Sequence, residues 1–127
     1  MSHIGAEITA VAAGACEIRL PYGDHVSQQH GFFHGGIVAT IADSAAGYAG
    51  FSLMPLGAGV LTVEFKINLV APADGDLLVA RGSVVRPGRT LTVTRAEVAV
   101  RKDGQERACA ILQQTLMMIT GRQGVIG

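Results

Sequence analysis

Residues 34–53 form an apolar, almost uncharged segment, and this segment constrains the fold more than any other part of the chain. Between Asp24 and Glu64 the sequence contains a single Asp, Glu, Lys or Arg residue, which is Asp43. Apolar residues around it fill nearly every side of a helical wheel, and such a helix belongs inside a domain. A segment of about 20 residues can span a membrane, but the central carboxylate and the repeated glycines argue against that. We therefore predict a buried helix with one carboxylate at its middle.

Two glycines, Gly35 and Gly36, stand where the apolar repeat begins. The first turn of a helix has backbone N–H groups without internal partners, and the missing side chains would let a ligand oxygen approach them. Small residues then recur at helical spacing on the side that carries the carboxylate: Gly36, Ala39 or Thr40, Asp43, Gly47 and Gly50. This face could admit a slender ligand or the backbone of a partner, or it could pack closely against a sheet. The spacing alone leaves both open.

The composition is that of one ordinary globular domain of 127 residues. A formal net charge of zero and 16% charged residues argue against disorder and against a general nucleic-acid-binding protein. The hydrophobic share of 49% indicates apolar surface beyond the core of a monomer, and hence self-association. The lone cysteines, Cys16 and Cys109, are typical of buried thiols in a cytoplasmic protein. Residues 8–16 lack a basic leader, which argues against a secretory signal.

Strand patterns occupy most of the remaining chain. They cover five segments: Cys16–Leu20, Thr62–Leu69, Leu77–Arg86, Thr90–Arg101 and Arg107–Ile119. We expect the helix to stop near Pro55, and Asp103-Gly104 predicts a tight hairpin. A change of apolar parity between Val93 and Ala96 predicts a β-bulge. Residues 1–13 give little signal, and residues 120–127 are expected to form a loose tail.

Consecutive strands on short turns pair antiparallel, and the apolar face of the resulting sheet needs a cover. The helix is the available cover. The sequence therefore predicts a single α+β domain over residues 1–127, with its core at about 14–119. In this domain a curved antiparallel β-sheet is wrapped around one long central helix.

This architecture, together with the run His34-Gly35-Gly36 and an acid seven residues later at Asp43, resembles the hotdog-fold acyl-CoA thioesterases. The nearest branch is the PaaI-like family of phenylacetic acid degradation. A second matching segment runs from residue 62 to 68 (Thr-Val-Glu-Phe-Lys-Ile-Asn) and leads to Ala-Pro-Ala at 71–73. The resemblance covers about residues 14–119, and it implies a hotdog fold and hydrolysis of an acyl-CoA thioester, with no cofactor apart from the coenzyme A of the substrate.

The resemblance also implies roles for individual residues. Asp43 would be the catalytic base or nucleophile, the N–H of Gly35 would polarise the thioester carbonyl, and Thr62 would help to hold the attacking water. Six residues before His34 the family often has Asn, whereas this chain has Gln28, whose longer side chain must reorient to reach the same point. In the family, the carboxylate of one subunit and the HGG turn of its neighbour form one site. The resemblance thus implies an obligatory homodimer, commonly paired into a homotetramer.

Structural roles compete with these assignments. A buried carboxylate such as Asp43 can be satisfied by backbone N–H groups or by the Ser44 hydroxyl, and it needs donors or water to stay ionised. His34 could contact the substrate or could simply cap the helix, and His30 is a comparable candidate. The sequence has no cluster with metal-ligand spacing, no Ser–His–acid arrangement typical of a catalytic triad and no P-loop.

The turn between two of the predicted strands carries a second candidate site, made of Arg86, Gly88, Arg89 and Thr90. Two arginines beside a glycine could grip the phosphates of coenzyme A, because a guanidinium binds phosphate through two parallel hydrogen bonds. The same residues could equally form a solvated hairpin tip.

Thioester hydrolysis is one of three functions that the sequence allows. A hotdog hydratase or dehydratase would generally rely on a histidine with a carboxylate, and no histidine lies beside Asp43. A non-catalytic acyl-CoA-binding regulator would normally carry a DNA-binding segment, and residues 1–13 are too short for one. Aromatic residues hint at a medium-chain or aromatic acyl group: Phe32, Phe33, Tyr48 and Phe51.

Overall fold

The computed structural model describes residues 2–119, which form one helix and a six-stranded antiparallel sheet. In chain order the main elements are β1 (Glu7–Ala12), β2 (Ala15–Pro21), α1 (Gly35–Phe51), β3 (Gly59–Leu69), β4 (Leu77–Arg86), β5 (Leu91–Lys102) and β6 (Gln105–Ile119). The order across the sheet is β1-β2-β4-β5-β6-β3. The α+β hotdog architecture, a curved sheet around one central helix, is confirmed. The predicted tail at 120–127 lies outside the described residues.

The predicted strands are present, with shifted ends, and one further strand was not predicted. Strand β1 pairs with β2 through a tight turn at Gly14, whose φ of 79° favours glycine. Asp103 and Gly104 form the predicted hairpin turn with φ values of 52° and 79°. The helix ends at Phe51, earlier than expected, because the N–H of Leu53 and the next residue bond three residues back and tighten the chain before Pro55.

Helix α1 is buried on one face only, which corrects the prediction of a helix buried on all sides. The buried face consists of Val38, Ile41, Ala42, Ala45, Ala46, Ala49 and Gly50. On the opposite face Tyr48 and Phe51 are 42% and 41% exposed. Gly47 of the small-residue face also lies on this open side, whereas Asp43 is half-buried at its border and contacts the sheet. No helix among residues 2–119 is long and apolar enough to cross a membrane.

The helix approaches the sheet at two glycines. A Cβ atom at Gly82, in the middle of β4, would overlap the backbone carbonyl of Ala45 in the helix. From the helix side, a Cβ atom at Gly50 would lie 2.5 Å from Cδ1 of Leu116 and 3.1 Å from Cγ2 of Thr94. Both positions therefore exclude a side chain as the structure stands. The two glycines set the distance between helix and sheet, and so decide which side chains can meet across the gap.

A β-bulge in β3 turns Thr62 toward the helix. The register of β3 against β6 shifts between Thr62 and Glu64, which leaves Val63 as the extra residue. In a strand that alternates without interruption, Thr62 and Phe65 would lie on opposite faces of the sheet. Because of the bulge, both lie on the inner face, as the pairing of Thr62 with buried Leu116 shows.

The bulge predicted in β5 is wrong. Strand β5 alternates regularly, with Thr92 and Thr94 buried on its inner face, and the register shift lies in the neighbouring strand β4 between Val84 and Arg86. In the sequence the alternation of apolar residues seemed to change phase because Thr92 and Thr94, which are polar, occupy inner-face positions where apolar residues are usual.

The close approach at Gly82 leads to a stability prediction. We expect Gly82→Ala to lower the free energy of unfolding by about 1–3 kcal/mol or more, because the added methyl group meets backbone that cannot rotate away. The matched control is Gly47→Ala, where no atom lies within 4 Å of the new methyl group. This helical substitution should be neutral or stabilise by about 0.5–1 kcal/mol. Urea unfolding measures both variants, and equal stability of the two would contradict the packing described here.

Candidate active site

Asp43 projects from the open face of α1 and is anchored through one of its two carboxylate oxygens. Its Oδ1 accepts hydrogen bonds from Nε2 of Gln114 at 2.5 Å and from Oγ1 of Thr62 at 3.2 Å. Within residues 2–119 its Oδ2 accepts none. The half-buried carboxylate thus receives two hydrogen-bond donors from the sheet. One oxygen is fixed by the protein, and the other is open to water or to a substrate.

Gln114 was missed by the sequence analysis. It lies on the inner face of β6, is 1% exposed, and its Oε1 accepts a hydrogen bond from Oγ1 of Thr94 at 2.9 Å. The sequence did carry a signal, because Gln114 interrupts an inner-face pattern that is otherwise apolar, between Leu112 and Leu116. Thr94 interrupts the pattern of β5 at the facing position.

The open oxygen of Asp43 faces a cleft of about 360 Å³ between α1 and the beginning of β3. Tyr48, Phe51 and Val60 supply apolar walls, and Thr62 lies beside the carboxylate. Among residues 2–119, no lysine or arginine lines this cleft. It therefore suits a neutral, apolar group placed next to a negative charge.

Gly35 lines a second cleft, of about 450 Å³, together with Gln28, Phe32 and Phe33. Within the described part of the chain the N–H of Gly35 has no hydrogen-bond partner, so it is available to a ligand. The N–H of Gly36 instead donates to Nδ1 of His34 at 2.9 Å. The expected contact of Gly36 with substrate is therefore not supported by this arrangement, since its donor is already in use.

His34 is the N-cap of the helix, with extended backbone angles of φ −66° and ψ 135°. Because its Nδ1 accepts a hydrogen bond, the ring proton lies on Nε2, which points away from the cap. The side-chain oxygen of Gln28 accepts from the backbone N–H of His30. Direct contacts of His34 and Gln28 with a substrate stay predictions.

A single chain does not bring Asp43 and Gly35 together. The two residues are eight positions apart on one helix, which corresponds to about 12 Å along its axis. They line different clefts. Asp43, Thr62 and Gln114 form one half of a site, and the start of the helix forms the other half.

The turn between β4 and β5 lies at the same end of the sheet as the start of β3. The N–H of Gly88 donates to Oγ1 of Thr92 at 3.3 Å. Thr92 is opposite Leu116, which is in turn opposite Thr62, so two strand spacings, about 10 Å, separate Thr92 from Thr62. A side chain at Gly88 would overlap the carbonyl of Leu91, which explains the glycine.

The arginines of this turn differ from those on the outer face of the sheet. Arg81 and Arg101 both bind Glu106, and these hydrogen bonds lower the pKa of that carboxyl to about 2. Arg86 and Arg89 are exposed and form no ion pair within residues 2–119. They are available to an anion, as is the side chain of exposed Thr90, whose backbone carbonyl accepts from Met118.

The two cysteines are buried, as predicted. Cys109 lines the cleft of Gly35, and burial raises the pKa of its thiol to about 11. Burial also raises the pKa of Cys16. Neither group is a thiolate at neutral pH, so neither competes with Asp43 as a nucleophile. Within residues 2–119 no three His, Cys, Asp or Glu side chains are grouped as a metal site would require.

The profile of the Thioesterase superfamily matches residues 30–108, which span helix α1, Asp43 and most of the sheet. The chain belongs to the thioesterase superfamily. It is a thioester hydrolase, as the first of the three predicted functions requires.

Solved structures agree with this assignment. A thioesterase family protein from Silicibacter pomeroyi is 50% identical, with a TM-score of 0.93 over 95% of this chain and 89% of the other. A Bacillus halodurans protein, solved with CoA, is 32% identical, with a TM-score of 0.75 over 81% of this thioesterase and 66% of its own length. The PaaI protein of the E. coli phenylacetic acid degradation operon shares the fold, with 23% identity and a TM-score of 0.84 over 94% and 83% of the two chains. The PaaI-like resemblance is confirmed.

Proposed function

We propose that this thioesterase hydrolyses acyl-CoA thioesters at a site built from two copies of the chain, with Asp43 as general base or nucleophile. The observation that carries the proposal is the half-anchored carboxylate, which has one oxygen held by two donors and the other open to an apolar cleft. The similar Bacillus halodurans protein solved with CoA supports coenzyme A as the leaving group. A cytoplasmic location and the absence of a cofactor stay predictions.

Two chemical routes fit this geometry. In the first, Asp43 takes a proton from a water held by Thr62, and the water oxygen attacks the acyl carbon. In the second, a carboxylate oxygen of Asp43 attacks the acyl carbon to form a mixed anhydride, which water then hydrolyses. Both routes break the bond between the acyl carbon and sulfur and release coenzyme A with its thiol proton restored. Both need a donor for the negative charge that develops on the carbonyl oxygen.

We assign that donor to the free N–H of Gly35 from a second copy. Along β3, Thr62 adjoins Asp43, while Leu69 lies at the helix start, with its Cδ1 3.2 Å from where a Cβ of Gly35 would be. If two β3 strands pair antiparallel about a two-fold axis near their middle, the Thr62 end of one meets the Leu69 end of the other. That pairing brings Asp43 of one copy toward Gly35 of the next.

The surface of β3 favours such a pairing. In the described part of the chain this strand ends the sheet and pairs with β6 alone, so its second edge is open there. Large apolar residues on and just after β3 are about half exposed: Leu61, Val63, Phe65, Leu69 and Val70. A free edge with apolar side chains is a ready interface for another strand. We therefore propose a homodimer, and the pairing of dimers into a tetramer stays a prediction.

The four aromatic residues that the sequence analysis connected with the acyl group divide between the two clefts. Tyr48 and Phe51 line the cleft of Asp43, and Phe32 and Phe33 line that of Gly35. A site assembled from both clefts would place aromatic surface on both sides of the acyl chain. This supports a medium-chain or aromatic acyl group.

Replacement of Asp43 tests the catalytic assignment. We expect Asp43→Asn to fold normally and to lose at least a hundredfold in kcat, since general base catalysis contributes about 10²–10⁴-fold. The rate is measured by thiol release from acyl-CoA substrates. Asp76→Asn, the same change at an exposed position, is the control and should behave as wild type. If Asp43→Asn keeps more than about a tenth of the wild-type rate, Asp43 is not the catalytic group.

Complementation between two inactive variants tests the shared site. Gly35→Pro removes the N–H at a position where helices accept proline, and the extended backbone of His34 suits a following proline. Gly35→Ala keeps the N–H and is the matched control, which should retain activity. When Asp43→Asn and Gly35→Pro chains are unfolded together and refolded at equal amounts, half of the dimers are mixed, and each has one intact site.

We expect this mixture to recover about a quarter of wild-type activity, because one site in two is intact in half of the dimers. Each variant alone should stay inactive. A mixture that remains inactive, although light scattering shows mixed dimers, would mean that each chain supplies both groups itself.

Truncated substrates test the arginines of the β4–β5 turn. If Arg89 binds the phosphates of coenzyme A, Arg89→Ala should raise KM for an acyl-CoA by about threefold to tenfold and leave kcat unchanged. The effect should shrink with added salt. For the same acyl group on a thiol without the nucleotide, KM should not change. Arg107→Ala, on the hairpin at the far end of the sheet, is the control. Equal losses on both substrates would rule out the phosphate contact.

A further inference from the structure

The face of the sheet beneath the helix is apolar except at one place. Among the described residues the buried polar side chains are Thr92, Thr94 and Gln114, which are 4%, 0% and 1% exposed. Burying an amide costs free energy unless the protein supplies its hydrogen bonds. Leu112 and Leu116, on either side of Gln114 along the inner face, show that this layer holds apolar residues. A glutamine at this position therefore has a specific partner, and that partner is Asp43.

We infer that Gln114, oriented by Thr94, is a positioning residue for Asp43, an inference that rests on the catalytic role proposed above for Asp43. The amide nitrogen of Gln114 donates to Oδ1 of Asp43, and it also lies 3.5 Å from the backbone carbonyl of the same residue. The amide oxygen accepts from the Thr94 hydroxyl at 2.9 Å. Every polar atom of the side chain is used, and no bond connects it to solvent.

Thr94 stabilises the orientation in which Gln114 donates to the acceptor-only carboxylate of Asp43. If the amide turned over, its oxygen would face the Asp43 carboxylate, and two acceptors would lie together. The hydroxyl of Thr94 donates to the amide oxygen and so holds that oxygen on the side away from Asp43. The methyl group of Thr94 adjoins Gly50, so the threonine is itself held by the contact between helix and sheet.

The consequence for the reaction is the direction of the basic oxygen. Gln114 and Thr62 both donate to Oδ1, which fixes the plane of the Asp43 carboxylate and leaves Oδ2 toward the cleft. Gln114 therefore supports a correctly aimed base, and its removal should let the carboxylate turn away from the cleft.

Among the described residues, the other titratable side chain that lines the cleft of Asp43 is Tyr48 on α1. On β3, Glu64 and Lys66 belong to the outer face, and on β5 the outer-face residue Arg95 pairs with Glu97. Within residues 2–119, β6 has no charged side chain after position 107, and His34 caps the start of the helix, about two turns from Asp43.

The decisive variant is Gln114→Met, which keeps the length of the side chain and removes its donor. We expect kcat to fall about tenfold to a hundredfold with little change in KM. The matched control is Gln113→Met, the same change at the neighbouring exposed residue on the outer face. It should match wild type in kcat and KM.

Three results overturn the inference. If Gln114→Met and Gln113→Met share the wild-type kcat while Asp43→Asn is inactive, Gln114 has no positioning role, and the function proposed for Asp43 stands. If Gln114→Met only lowers thermal stability, its role is structural. If Asp43→Asn is fully active, both the proposed function and this inference fail.

Two further variants decide the matter even if Gln114→Met does not fold. Gln114→Glu keeps the shape and places a second carboxylate beside Asp43. Its activity should be at least a hundredfold low at neutral pH and should recover as the pH falls, because a protonated Glu side chain can again donate. Thr94→Val should lower kcat about threefold to tenfold, because the amide loses the bond that orients it. A flat pH dependence of Gln114→Glu together with wild-type kcat in Thr94→Val would contradict the inference.

Discussion

The close contact between the helix and the sheet is the constraint on which the candidate site depends. Because Gly82 has no side chain, the backbone of α1 can rest on β4, and Gly50 allows the same approach near β5 and β6. At this distance Gln114 reaches the carboxylate of Asp43 from below. If the helix and the sheet were farther apart, the Gln114 amide and the Asp43 carboxylate could not form their hydrogen bond. Each group would then lack a hydrogen-bond partner, which costs free energy for a buried polar group.

The arrangement separates two tasks along one helix. The start of α1 offers a free backbone N–H at Gly35, which suits a developing negative charge, and the middle offers the carboxylate of Asp43. A helix fixes the separation of these groups, so one copy cannot bring both to the same acyl carbon. The exposed apolar residues along β3 and the separation of the two groups are the two observations behind the homodimer proposed above. A half-site of this kind is expected to be inactive until the chain associates.

Most of the fold could be predicted from the sequence, because the spacing of apolar residues along strands and helices reflects which of their faces are buried. The ends of β4 were predicted to the residue, and the PaaI-like motif pointed to Asp43 and Thr62. The details that complete the site could not be read in the same way. The bulge that turns Thr62 inward changes which residues of β3 face the helix, and no residue type in the strand indicates where it occurs. The polar residues Thr94 and Gln114 looked like a shifted pattern because their hydrogen-bond partners are distant in the chain: Thr94 bonds to Gln114, 20 positions away, and Gln114 bonds to Asp43, 71 positions away.

The most direct test of the account is a crystal structure of the Asp43→Asn protein with a slowly hydrolysed acyl-CoA bound. The account predicts that the acyl carbonyl oxygen lies within about 3 Å of the Gly35 nitrogen of one copy. The acyl carbon should lie within about 3.5 Å of the side chain at position 43 of the other copy. A complex in which both contacts come from the same chain, or in which the thioester binds away from position 43, would contradict it.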